Sequence, residues 1–398
     1  MKTILFVDDE KNILDGVRRL LYAQRDQWDM HFASSGEAGL RACDLHSFDV
    51  VVSDLRMPGM DGATFLSHVR DSFPNAARLI LSGYSDAALT SRAVSVAHRV
   101  LAKPCSGEAL RLNIERVCFL QDIFCTPELR KVVGAIGQLP SLSNTYMALS
   151  RAIGDPATSI ATVAAIIEND VAMAAKVLQL VNSGFFGLAH TVTTLESAVN
   201  YLGMATMKNL ALMSDTFRLF VPSSFIPASF CEDMQLQSRK ASLIIRTFKM
   251  SREVRDVCII GAALQDIGQL ILACKLPAEL CATFDIAQKS GCPQFEAEEQ
   301  LLGTSHAEIG AYLLGLWGID SLIVEAVAHH HQPVRIPHIG LDTSTALYVA
   351  NHLARELDAH PDDLLGAKIS PSDRSCLESL GIMQEYPELK ARAREALS

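Results

Sequence analysis

The chain has 398 residues, 49% hydrophobic and 20% charged, which suits two or three globular domains with substantial cores. Its formal net charge of −10 argues against a protein whose main task is gripping a phosphate backbone. Ten cysteines with no C-x-x-C pair read as reduced thiols; with an early Asp8-Asp9 and no unbroken apolar run of roughly 18–20 residues, a cytoplasmic protein without a signal peptide or membrane partner is expected.

In chain order, residues 3–7 are a short β-rich run ending in Asp8-Asp9. A helical pattern through Ile13, Val17 and Leu20 follows, then an alternating strand over 28–33 and a helix over 34–46, with Ser34 or Ser35 as N-cap. Residues 49–53 carry three consecutive valines, the signature of a strand buried on both faces, and deliver Asp54 before a break at Pro58-Gly59. A helix over 61–73, a strand over 78–81 ending in Ser82-Gly83, a helix over 86–97, a strand over 99–102 ending in Lys103-Pro104 and a helix from 106 complete the pattern. Five strands alternating with five helices predict a doubly wound, flavodoxin-like parallel sheet.

Right-handed crossovers bring the C-terminal strand ends to one edge, which gathers Asp8, Asp9, Asp54, Ser82 and Lys103. Crowded carboxylates suit a hard divalent cation such as Mg2+. Lys103 adds a fixed positive charge, and Ser82 can donate to an incoming phosphoryl oxygen. The set reads as a metal-assisted, anion-accepting site with one carboxylate as nucleophile.

These residues, with Met57-Pro58-Gly59-Met60-Asp61-Gly62 after Asp54, resemble the receiver domain of two-component response regulators. The resemblance covers about the first 120 residues. It implies that Asp54 accepts a phosphoryl group from a sensor histidine kinase. It also implies that Asp8, Asp9, Asp54 and the backbone carbonyl of Arg56 hold Mg2+, that Ser82 and Lys103 contact the phosphoryl oxygens, and that the Lys103–Pro104 bond is cis. Val100 stands where many receivers carry an aromatic switch residue, which leaves Tyr84 or His98 as replacements.

The helix after Ser106 runs on past Leu120 into Ile123 and Phe124, and Thr126-Pro127 caps a further helical piece over 128–136. From 139 onward no strand pattern stands out; 159–168, 172–182 and 195–202 read as helices. The candidate recognition helix near 172–181 offers only Lys176 as a basic residue, so no direct DNA binding is expected.

Leu139-Pro140-Ser141-Leu142, Asp155-Pro156, Leu180-Val181-Asn182-Ser183-Gly184-Phe185-Phe186-Gly187 and Glu196-Ser197-Ala198-Val199 resemble the HDOD domain, an all-helical output module related to HD phosphohydrolases. Carried over by local pattern, the metal-ligand positions of those hydrolases fall at Gln237, Gln265-Asp266, His306, His330-His331 and Asn351. Three of these are amides, poor substitutes for imidazole or carboxylate at a transition metal, so none is expected in this half. The expected division is a receiver over 1–121, a helical connector over 122–138, a degenerate HD-type all-α HDOD domain over 139–355 and a helical tail over 356–398 packed on that domain as a solvated cover, with Lys390, Arg392 and Arg394 in its last helix. The expected function is a non-enzymatic phosphorelay response regulator acting through a downstream signalling protein. A homodimer is compatible with the sequence. The rivals are a metal-dependent HD-type phosphohydrolase and a cyclic dinucleotide sensor.

Overall fold

The computed structural model describes residues 1–83, 92–93, 95–123, 127–134, 136, 140–141, 148–149, 151–153, 155, 158–183, 188, 191–212, 218–219, 226, 229–337, 340–359 and 371–398. Tyr84, Phe124, Thr126, Leu139, Leu142, residues 184–187 and most of the helix expected over 86–97 lie outside them.

Five strands form one parallel sheet: β1 (Lys2–Val7), β2 (Trp28–Ala33), β3 (Val50–Asp54), β4 (Ala77–Ser82) and β5 (Arg99–Ala102), in the order β2-β1-β3-β4-β5. Every residue of β3 and β4 is buried, which is what the run of valines requires of a strand covered on both faces. The register sets Val7 beside Ser53 and Asp54 beside Leu81, so the chemistry-bearing residues reach one edge together. Side chains start the helices where expected: Ser35 Oγ accepts from the Ala38 amide (3.2 Å), Asp61 Oδ1 from Thr64 (2.7 Å) and Ser106 Oγ from Ala109 (3.1 Å). Each such cap stabilises by about 1 kcal/mol.

Among the described residues the second half is helical, with one exception to the expectation. Pro140–Ser141 and Arg218–Leu219 form a two-residue parallel ladder, too short to leave a period in the sequence. The helix expected over 195–202 continues as Leu195–Leu212, kinked at Gly203, whose φ is +75°. Arg252–Lys275 is long and apolar enough to cross a bilayer, with mean hydropathy 1.8 in its best window, but 89% of that window is buried inside the protein. It is two helices, Arg252–Leu264 and Ile267–Lys275, broken at Gln265-Asp266.

The C-terminal helices Pro371–Ser379 and Tyr386–Leu397 bury Leu377, Leu380, Tyr386 and Leu389 against Ile244, Ile245 and Leu353. Within this cover Lys390 is not solvated. It is fully buried, and its Nζ donates to Glu356 Oε1 at 2.8 Å, beside the Tyr386 hydroxyl on the same carboxylate.

One continuous core cluster runs through both halves. The helix Gly107–Ile123 packs on the helix His306–Leu316, and the approach is close because position 315 is glycine: a Cβ there would stand 2.8 Å from Leu120 Cδ1. Every residue of the helix Val171–Val181 is buried.

That helix buries Lys176, whose ammonium sits 5.4 Å from the Trp317 ring centroid. Burial pulls its pKa from 10.5 down to about 7. Because the folded value is the lower one, the unfolded chain holds the extra proton between the two, and stability rises with pH there. In denaturant melts from pH 7 to about 8.5 the Lys176 contribution is expected to reach a slope of up to about 1.4 kcal/mol per pH unit, opposed by the raised His306 and read as the difference between wild type and a Lys176 variant. A Lys176→Met protein is expected to lose that slope.

Candidate functional sites: the acidic edge and the histidine cluster

At the sheet edge β1 delivers Asp8 and β3 delivers Asp54, both buried, while Asp9 is exposed. Lys103, just past β5, places Nζ 2.9 Å from Asp8 Oδ2 and 2.5 Å from Asp54 Oδ1. The Arg56 amide donates to Asp54 Oδ2 at 3.0 Å, which fixes the carboxylate plane. Ser82 is buried beside them, its hydroxyl donating to the Gly83 carbonyl at 3.2 Å, and the Lys103–Pro104 peptide is cis. Burial pushes the Asp54 carboxyl up against the opposing pull of Lys103. Burial also pulls the Lys103 ammonium down, but its hydrogen bonds and charge contacts with Asp54 and Asp8 outweigh this and leave it raised. Two buried carboxylates facing one ammonium leave one negative charge uncompensated, so the donor set fits a hard divalent cation held by oxygen.

Val100 is buried in β5. His98 is pinned and does not have the freedom of a rotamer switch: its Nδ1 accepts from the Arg78 amide at 3.0 Å, and its Nε2 lies 3.0 Å from the Arg78 guanidinium. Arg78 is itself buried and donates through Nε to the Val96 carbonyl at 2.7 Å. What the sequence did not reveal is the other end of β5. Arg99 reaches into the helical half and donates to the carbonyls of Leu316 (3.2 Å) and Gly315 (2.8 Å), while Arg116 donates to that of Ile319 (3.0 Å). Gly315 and Leu316 close the helix His306–Leu316, the end of a helix that attracts cations, and Ile319 lies in the turn that follows. Burial, with repulsion from Arg116, pulls the Arg99 pKa to about 9.

At the opposite end of the same helix lies a buried cluster. His306, its first residue, is capped by Ser305 and is held by Glu298, whose Oε2 accepts from the His306 amide (2.7 Å) and from Nδ1 (2.6 Å). His306 Nε2 stands 2.9 Å from His331 Nε2 and 3.6 Å from Asp266 Oδ1. His330 Nδ1 donates to the Val327 carbonyl at 2.8 Å, and the His331 ring stacks on Phe295. Burial lowers the His330 and His331 pKa values well below the usual range and keeps them neutral. For His306 burial is outweighed by Glu298 and Asp266, which leave it raised. Gly268 makes the assembly possible: a Cβ there would stand 1.9 Å from the His306 carbonyl oxygen, so only glycine lets the helix carrying Asp266 approach.

Asp266, His306, His330 and His331 are thus brought together, whereas the amide positions behave differently. Gln265 and Asn351 pair with each other, Nε2 to Oδ1 at 2.8 Å and Nδ2 to Oε1 at 2.5 Å. Gln237 points to Asp358, and the neighbouring Ser238 faces the cluster instead, 3.4 Å from Asp266 Oδ2. Glu298 had no separate signal, since Glu296-Ala297-Glu298-Glu299 looks like a solvated helix face. Asn182 ties a helix end to a loop, donating to the Val192 carbonyl at 3.0 Å and accepting from its amide at 2.7 Å.

An acidic strand-end edge on a five-stranded parallel sheet, joined to a helical bundle, defines a two-domain regulator. The chain belongs to the response regulators: residues 4–115 match the response regulator receiver domain, and residues 139–333 match the HDOD domain. A probable chemotaxis protein CheY from Rhizobium etli is 36% identical over 122 residues, covering 29% of this chain and 90% of that protein. An uncharacterized protein from Treponema pallidum is 22% identical over 232 residues, 57% of this chain; the match spans 44% of that relative's length. The fold is shared with a virulence factor from Campylobacter jejuni (TM-score 0.51, 21% identity, covering 67% of this chain and 98% of that one).

Proposed function

We infer that the protein is a phosphorylation-switched regulator whose helical half acts by presenting or withholding a protein-binding surface. The observation that carries this reading is the double role of β5. Lys103 at its C-terminal end touches Asp54, and Arg99 at its start holds the C-terminus of the helix that begins at His306.

In the transfer from a kinase phosphohistidine, an Asp54 carboxylate oxygen forms the new bond to phosphorus as the bond from phosphorus to the histidine nitrogen breaks. Lys103 moves from carboxylate to phosphoryl oxygens, and the Ser82 hydroxyl turns from the Gly83 carbonyl to donate to one of them. Asp8, Asp9, Asp54 and the Arg56 carbonyl would hold Mg2+, which when bound offsets the negative charge of the phosphoryl group. The shift of Lys103 strains β5 and is felt at Arg99. Reversing a two-state equilibrium from 1:99 to 99:1 takes about 5.5 kcal/mol. New charge-assisted hydrogen bonds at about 1.5–3 kcal/mol each are of the right size.

The output is non-catalytic in this reading, and the mutual pairing of Gln265 and Asn351 supports it, because those amides are committed to each other. The partners are a sensor histidine kinase and a downstream signalling protein. The test is X-ray scattering of the full chain with and without phosphoramidate and Mg2+. Wild type is expected to change its scattering profile on phosphorylation, and an Arg99→Ala protein is expected to accept phosphate with at most a small change. Unchanged wild-type scattering would refute the switch.

A further inference from the structure

Beside the Arg99 anchor lies a cavity of about 250 Å3, where β5 and the helix Gly107–Ile123 face the helical half. We propose that this cavity binds a small phosphate-bearing dianion, held by Arg99 and Arg116 at the seam between the two halves.

Charge selects the ligand. Both arginines line the cavity, and no carboxylate lines it among the described residues. There, too, the two guanidinium groups donate to neutral oxygens alone: Arg99 to the Leu316 and Gly315 carbonyls and to Asn113 Oδ1 (2.6 Å), Arg116 to the Ile319 carbonyl. A guanidinium has five N–H donors. Three on Arg99 and one on Arg116 are engaged in this way, which leaves donors on each for a phosphate oxygen. Two neighbouring cations match a dianion, whereas a monocarboxylate offsets only one of them. The other titratable groups nearby supply no negative charge. Burial, with Arg78, Arg99 and Lys176 around it, keeps His98 neutral. Lys176, 5.4 Å from the Trp317 ring on the cavity wall, is a further cation when protonated.

Gln179 is the second observation. It lines the same cavity and is 4% exposed. Its Nε2 reaches the Ala97 carbonyl only at 3.4 Å, and its Oε1 has no hydrogen-bond partner among the described residues. A buried amide left short of partners marks a place where water or a ligand belongs. Asn182 and Ser183 on the same wall bond locally, to Val192 and Leu180. The volume is about eight times a water's share, enough for a phosphate and a small esterified group against Trp317.

A ligand here fastens the receiver to the helical half at the seam that Arg99 already holds. It is a second input, independent of Asp54, which lies at the other end of β5 with Lys103. The competing occupant is water.

The test is calorimetric titration of the full chain at low salt in EDTA, so that no Mg2+ draws phosphate to the acidic edge. The probes are inorganic phosphate, glycerol 3-phosphate and acetate. The expected result is one site per chain with a Kd tighter than about 1 mM for at least one phosphate probe, and at least about tenfold weaker binding of acetate. The tighter phosphate probe tells free phosphate from an ester. Gln179→Glu, which puts a carboxylate beside the arginines, is expected to abolish binding. Arg116→Gln, a half-buried change that removes one hydrogen bond, is expected to weaken it about tenfold. No saturable heat with either phosphate probe would overturn the proposal and leave water as the occupant. Acetate binding as tightly as phosphate, or a phosphate site that Arg116→Gln leaves unaltered, would overturn it as well.

Discussion

An Asp54→Asn protein is expected to take up no phosphoryl group from phosphoramidate and Mg2+, and wild type to be labelled at one site per chain. The carboxylate is the group that can form the acyl phosphate, and the structure brings Lys103 to within 2.5 Å of it. The variant folds, because Asp8 keeps Lys103 paired at 2.9 Å. It also changes the acid side of the stability profile. The folded Asp54 carboxyl is raised above its ordinary 3.8, so wild type loses stability as pH rises from that value through the folded one. The Asn protein lacks this loss and is expected to be as stable as wild type or more so at neutral pH. Phosphate labelling read by intact mass, together with denaturant melts from pH 4 to 7, checks both statements.

The second large effect is structural. Gly268→Ala adds a methyl 1.9 Å from the His306 carbonyl oxygen and 3.0 Å from the Gly310 amide, both backbone atoms that no rotamer change can move. The two helices must separate, at a cost of about 3 kcal/mol. The same displacement carries Asp266 away from His306, 3.6 Å from it in the folded protein, so the variant is expected to lose that contact together with stability. Denaturant unfolding of Gly268→Ala beside Gly291→Ala is the control: position 291 is open space but has a left-handed φ of +66°, so it reports backbone strain without a clash.

The receiver half was legible because its signals are local and repeated. Four of the five strands lead into a charged or hydroxyl residue at one edge, Asp8, Asp54, Ser82 and Lys103, and the buried valines of β3 announce a parallel sheet before any contact is known. The helical half was legible in its composition and only partly in its site. Asp266, His306, His330 and His331 were found by pattern, but Gln237 was placed in the cluster where Ser238 stands, because one residue of helical phase is about 100° of rotation. Glu298, Lys390 and Arg99 were hidden for one shared reason. A charged residue reads as solvent-facing unless its partner is known, and each partner lies in another element: His306, Glu356, and the carbonyls of Gly315 and Leu316.

The central claim is that charge at Asp54 is transmitted through β5 to the helix that starts at His306. Amide hydrogen exchange of the full chain, with and without phosphoramidate and Mg2+, measures this directly. Phosphorylation is expected to change protection across His306–Leu316 and the following Trp317–Ile319 turn, and to leave an Asp54→Asn protein untouched. Protection changes confined to the sheet edge around Asp8, Ser82 and Lys103 would contradict it.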